Sequence, residues 1–280
     1  MITGWRIAWH RPECSLAQFL CAHVSNGADQ VVFEQPLSER VRTFLRIEFL
    51  FQQRRHHALD DSPTGTRAAL QTLLDVLSLT ARSDLKSEVI KDIQEQQTVL
   101  TRAPQLLQGM EVRQAFARLA DALKGVQRLP SHFAGSSLRS HEFLDAIAKR
   151  SAIPGGAAPF DLPALHRWLA EPTIRIHADL ERWFSHFAPY ETAIAACLDV
   201  LRHCGGDQLL VAVGGVHLHT PQAAHQLLRV KVSSDSGLYP EISAGRYRYS
   251  LRFMRQPDVD SRAQQVTQDV PFQLQCCLLA

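Results

Sequence analysis

The chain has 280 residues, enough for one large or two ordinary domains with a sizeable core. Hydrophobic residues make up 45% and charged residues 21%, a globular composition. The formal net charge of +2 excludes a protein drawn to nucleic acid by its global balance, so any electrostatic function must rest on local clustering.

No apolar run approaches the ~18 residues that would suggest a membrane span. Six cysteines are present (Cys14, Cys21, Cys197, Cys204, Cys276 and Cys277), none of them in a CxxC arrangement. They are read as reduced thiols of a cytosolic protein. Residues 1–30 have no clean periodicity, and Arg6, His10, Arg11, Pro12 and Glu13 interrupt any signal-peptide core. This stretch is read as a mobile extension or an over-extended start site.

From residue 36 to 204 the pattern is helical. Leu37, Val41, Phe44 and Leu45 fall on one helix face behind Ser38 as N-cap. Leu70, Leu73, Leu74 and Leu77 repeat the pattern, as do Leu85, Val89, Ile93 and Leu100 after a cap at Ser83. Val112, Phe116, Leu119, Leu123 and Val126 follow, then helices near 138–150, 162–170, 174–187 and 190–203. Pro104, Pro130, "IPGG" at 153–156, Pro172 and Pro189 mark the connections.

After Gly206 the period falls to two. "LLVAVGGVHLH" predicts two strands around a Gly-Gly turn. "LLRVKV" places Leu228, Val230 and Val232 opposite Arg229 and Lys231. "GRYRYSLRFMR" places Tyr247, Tyr249, Leu251 and Phe253 opposite Arg246, Arg248 and Arg252. In "QVTQDVPFQLQC", Val266, Val270, Phe272, Leu274 and Cys276 share a face, and Pro271 suggests an edge position or bulge. The expected fold class is α+β: a bundle-like helical domain at 31–205, then a small antiparallel β domain at 206–280 with one wet face.

No catalytic motif is present. His217 and His219 lie two apart on a strand, a spacing that can bind a metal, but no third ligand is identifiable, so surface or hairpin histidines are the simpler account. A metal-dependent enzyme built on these two residues remains a rival reading. The informative feature is the cationic set Arg229, Lys231, Arg246, Arg248 and Arg252 on two strands without a single Asp or Glu. A solvated sheet face and a groove for a carboxylate-bearing partner both fit it. A nucleic-acid binder using the same arginines is disfavoured, because Tyr247, Tyr249 and Phe253 point to the opposite face and offer no stacking row beside them.

"VVFEQPLSERVRTFLRIEFLF", "RSDLKSEVIKDI", "RSAIPGG…FDLPALHRWL" and "LLRVKV…GLYPEISAGRYRYSLRFM…DVPFQLQCC" resemble, in order, blocks of the ZapD family over about residues 31 to 277. The resemblance implies a cytosolic, non-enzymatic homodimer of the division septum, without cofactor or metal. It implies binding to the C-terminal tail of FtsZ and cross-linking of its filaments in the Z-ring. Arg46 and Arg82 sit in the matching blocks of the helical domain. They can join Arg248 and Arg252 if the two domains meet in a cleft, or form structural salt bridges with Glu48, Asp84 or Glu88.

Overall fold

The computed structural model describes residues 30–58, 60–81, 84–130, 138, 140–221, 224–245 and 248–277. The expectations for residues 1–29, Ser83, Arg82, Arg246 and Tyr247 lie outside the described residues. The chain is α+β, a helical part followed by antiparallel sheets.

The helices are α1 (Glu39–His57), α2 (Pro63–Thr80), α3 (Leu85–Arg102), α4 (Val112–Gln127), α5 (Glu142–Ser151), α6 (Pro163–Trp168), α7 (Thr173–Ser185) and α8 (Ala188–Arg202). Helix α1 starts where the Ser38 hydroxyl accepts the Val41 amide at 3.2 Å, satisfying one of the free N–H groups of the first turn. Its buried side chains, Val41, Phe44, Ile47 and Phe51, recur at helical spacing. Helix α3 is capped by Asp84, whose carboxylate accepts the Ser87 amide at 3.3 Å, one residue beyond the Ser83 expected from the sequence. Helix α8 packs on α1, α3 and α4, and α2 on α1 and α7. Leu73, Val89, Ile93, Leu100, Leu119 and Ala193 are all fully buried in the resulting core. Each large apolar side chain buried there stabilises the fold by about 1.5–3 kcal/mol.

The β part is two sheets packed face to face. The first has the order β1 (Gln30–Pro36), β4 (Leu227–Ser233), β8 (Val270–Cys277), β2 (Asp207–Ala212). The second has the order β3 (Val216–His219), β6 (Tyr249–Arg255), β5 (Leu238–Ala244), with β7 (Gln264–Gln265) also paired to β6. Leu228, Val230 and Val232 of β4, Val270, Phe272 and Leu274 of β8, and Tyr249, Leu251 and Phe253 of β6 fill the space between them. The alternation predicted for these strands is therefore the inward face of a sandwich.

Gly214 and Gly215 both take positive φ, 58° and 75°, which closes a tight turn between β2 and β3 as the sequence suggested. A Cβ at Gly215 would stand 2.1 Å from the Val266 carbonyl oxygen, so the position has no room for another residue. Pro271 lies in an interior strand, yet β8 pairs with β4 only from Gln273 onward. Its missing N–H therefore removes nothing from that ladder.

Two features differ from the sequence reading. Residues 30–36 are a strand, pairing antiparallel to β4 with Glu34 opposite Arg229. Three consecutive apolar residues without alternation carried too weak a signal to separate a strand from the start of a helix. The first sheet is also not a free-standing layer. Leu227 and Cys277, on its outer side, belong to the helical core, so the helices cover the face that was expected to be wet.

Candidate functional site

The cations read as one row occupy two opposite surfaces. On the outer face of the first sheet, Arg229 Nε donates to Glu34 Oε1 at 2.9 Å and its Nη1 to Gln275 Oε1 at 3.0 Å. Lys231 Nζ donates to Asp207 Oδ2 at 2.6 Å. Glu34 is shared with Arg202 at the end of α8, which also grips Glu48 of α1, both at 2.7–2.8 Å. Burial lowers the Arg202 pKa, but hydrogen bonds and charge from Glu48 and Glu34 outweigh it, and the guanidinium is held more firmly protonated than in water. Gln275, 5% exposed, donates to the carbonyls of Arg202 at 2.7 Å and Gly205 at 2.9 Å. This network of Arg202, Arg229, Glu34, Glu48 and Gln275 joins the sheet to the helices. The expectation that Arg229 and Lys231 lie on a wet face without acids is thus corrected. The acids come from β1, which pairs with β4, and from β2, which lies beyond β8 in the same sheet.

The second surface is the outer face of the second sheet. Strand β6 is held between β3 and β5, with Val216 and Glu241 on either side of Arg252 and Leu218 and Ser243 on either side of Ser250. Because Leu251 and Phe253 point inward, Arg252 points away from the first sheet and from the helices. Among the described residues its one ion pair is with Glu241 at 3.3 Å, where both side chains are about half exposed. Such a pair contributes about 0.2–1 kcal/mol. Arg248 is exposed just ahead of β6, where its carbonyl accepts the Gly245 amide at 2.9 Å. Among the described residues no acid lies within ion-pair distance of its guanidinium. Exposed Leu218 and half-buried Val216 lie beside these cations on β3.

Arg46 is exposed on α1. It borders a shallow groove with Phe49 and Leu50 from its own helix and Asp75, Ser78 and Leu79 from α2. No salt bridge to Glu48, Asp84 or Glu88 forms among the described residues, and Glu48 is taken by Arg202. The groove beside Arg46 is lined by α1 and α2 alone, with no residue of the second sheet.

His217 and His219 face inward, as pairing with Leu251 and Tyr249 requires. His217 meets the edge of Phe272 at 5.3 Å between ring centres, and His219 stacks on Tyr249 at 5.8 Å. Burial, and then the proximity of His219, lower the pKa values of His217 and His225. Imidazoles packed on aromatic rings suit the rim of a sandwich. Among the described residues no group of three His, Cys, Asp or Glu is placed to hold a metal ion.

Sequence reasoning missed Glu34, Arg202 and Gln275. A basic residue ending an otherwise apolar helix, as Arg202 does after "AIAACLDVL", was the available signal.

The fold and its surfaces define a two-part α+β protein with most of its described cations in ion pairs and one exposed cationic strand face. The profile of the ZapD family, described as a cell division protein, matches residues 45–252. The chain is 34% identical to the cell division protein ZapD of Bordetella petrii, over 88% of this chain and 99% of that protein. It is 36% identical to that of Methylococcus capsulatus, over 90% and 99%. The Nitrosomonas europaea relative is 34% identical over 89% and 95%. The chain belongs to the ZapD family of cell division proteins. No helix of the structure is long and apolar enough to cross a membrane.

Proposed function

We propose that this chain is a cytoplasmic, non-enzymatic adaptor that binds the C-terminal tail of FtsZ and bundles its protofilaments at the mid-cell Z-ring. The observation that carries the reading is the placement of two exposed cations, Arg252 on the outer face of β6 and Arg248 just ahead of that strand, with Glu241 the one acid in ion-pair distance among the described residues. Four residues span about 13 Å, so the two guanidiniums engage separate points of an extended peptide. Arg246 belongs to the same alternation in the sequence. Arg46 and Arg82 are assigned an auxiliary role toward the tail. Arg229 and Lys231 are assigned to holding the fold, because their charges already meet Glu34 and Asp207.

Bundling requires two tail sites on one particle. A homodimer supplies them, and linked sites can raise apparent affinity by about 10²–10⁴. No cofactor, nucleic acid or membrane insertion enters the mechanism. The test is pelleting of polymerised FtsZ, full-length or lacking its tail, with the purified protein. The reading expects bundles with full-length FtsZ alone. Equal bundling of the tail-less form would overturn it.

A further inference from the structure

The unused backbone of β3 gives the tail a place to lie. The Phe253 amide donates to the Gly215 carbonyl at 2.9 Å, which makes 215 and 253 a hydrogen-bonded pair of the antiparallel register. Such pairs alternate with non-bonded ones. His217 and His219 therefore turn their backbone groups toward β6. Leu218 turns its N–H and C=O the other way. Among the described residues β3 pairs with β6 alone, so those groups have no strand partner there. The Val216 amide is used within the turn, donating to Val213 at 3.1 Å, but the Val216 carbonyl faces the same free side. An open edge of this kind is where an extended peptide can add as a strand.

The side chains beside that edge define the peptide. Rows across the outer face run Val216, Arg252, Glu241 and then Leu218, Ser250, Ser243. The pairing ends at Tyr249 opposite His219, and Arg248 precedes it at that end of β6. A strand added to β3 lies about 10 Å from β6, two strand spacings away. An arginine and an acidic side chain, reaching across β3, together cover that distance. A residue opposite Leu218 meets an apolar side chain that is 57% exposed. The charge on this face is complementary to an acidic occupant, because among the described residues Arg248 has no acid in ion-pair distance and Arg252 has only Glu241.

We propose, resting on the reading above, that the partner's tail binds by adding as a strand to the free edge of β3. Its acidic residues, four apart, face Arg252 and Arg248, and an apolar residue midway between them lies on Leu218.

The experiment uses the full-length protein and a labelled FtsZ tail peptide, unmodified or N-methylated at alternate backbone amides in one parity or the other. Strand addition expects methylation in one parity to weaken binding at least tenfold and in the other parity less than twofold. It also expects Leu218→Pro, which removes the outward-facing N–H together with the exposed apolar side chain, to weaken binding at least tenfold in protein that stays folded. Amide exchange at Leu218 should slow on binding, while His217 and His219, already bonded, stay as they are. Should tail affinity depend on Arg248 and Arg252 but be equal for both methylation parities, strand addition is overturned and the tail-binding reading survives. Failure of the unmodified tail to bind at all overturns both. A change of oligomeric state in Leu218→Pro, with tail affinity retained, assigns the edge to a second copy of the chain and overturns the proposal.

Discussion

Strands β4 and β6 carry the same sequence pattern, basic residues alternating with apolar ones and no acid between them, and they do opposite work. Arg229 on β4 is 18% exposed and tied to Glu34 and Gln275. Arg252 on β6 is 55% exposed, with one loose pair. The strands do not differ in composition. They differ in which sheet they join and what lies on its far side. The first sheet is covered by helices and must neutralise its cations, because an unpaired charge there would lose its hydration without compensation. The second sheet faces solvent and is under no such demand.

Breaking the covered network should give the largest effect. Glu34→Ala leaves Arg202 and Arg229 short of a carboxylate in a mostly buried setting. The expected loss is about 3–5 kcal/mol, the range for removing one partner of a buried pair. Denaturant unfolding should show it as a lower midpoint at an unchanged slope. A loss below about 1 kcal/mol would show that solvent already screens the joint.

A smaller change sharpens the contrast from the open side. Glu241→Gln removes the one acid beside Arg252, so tail binding should tighten by up to about fivefold, the equivalent of about 1 kcal/mol. Stability should move by less than about 0.5 kcal/mol. Weaker binding by this variant would mean that Glu241 positions Arg252 rather than competing for it.

The smallest effect concerns pH. His217 and His225 are held neutral in the fold, chiefly by burial and then by His219. The unfolded chain protonates these sites near pH 6.5. It therefore binds more protons than the fold just below that value, and stability is lost as pH falls through about 6.5. His57, lowered by burial and by His56, adds in the same direction. Replacing both His217 and His225 with Gln should flatten the dependence of melting temperature on pH between about 7.5 and 5.5. An unchanged slope would place the acid sensitivity elsewhere.

Much of this was legible in the sequence because it is local. The helices declared themselves by spacing, down to the Ser38 cap, and the Gly-Gly turn by its residues. The inward faces of β4, β6 and β8 followed from alternation. What was not legible is relational. Glu34 meets Arg229 across 195 residues of chain and Arg202 across 168. No periodicity in β4 reports that its second face will be covered. The cation set was therefore read wrongly as one surface, since Arg229 and Lys231 lie on the covered sheet and Arg252 on the open one. The absence of acids within a strand says little about acids on the strand beside it.

The most direct measurement is titration of a labelled FtsZ tail peptide into three proteins: wild type, Arg248→Ala with Arg252→Ala, and Lys231→Ala. Charge-assisted hydrogen bonds contribute about 1.5–3 kcal/mol each, so losing both open-face arginines should weaken binding about a hundredfold or more. The double variant should keep its melting temperature, because both side chains are exposed. Lys231→Ala should bind like wild type, and wild-type binding should weaken as salt rises. Equal affinity of the wild type and the double variant would contradict the account, leaving the outer face of β6 a solvated surface with no part in tail recognition.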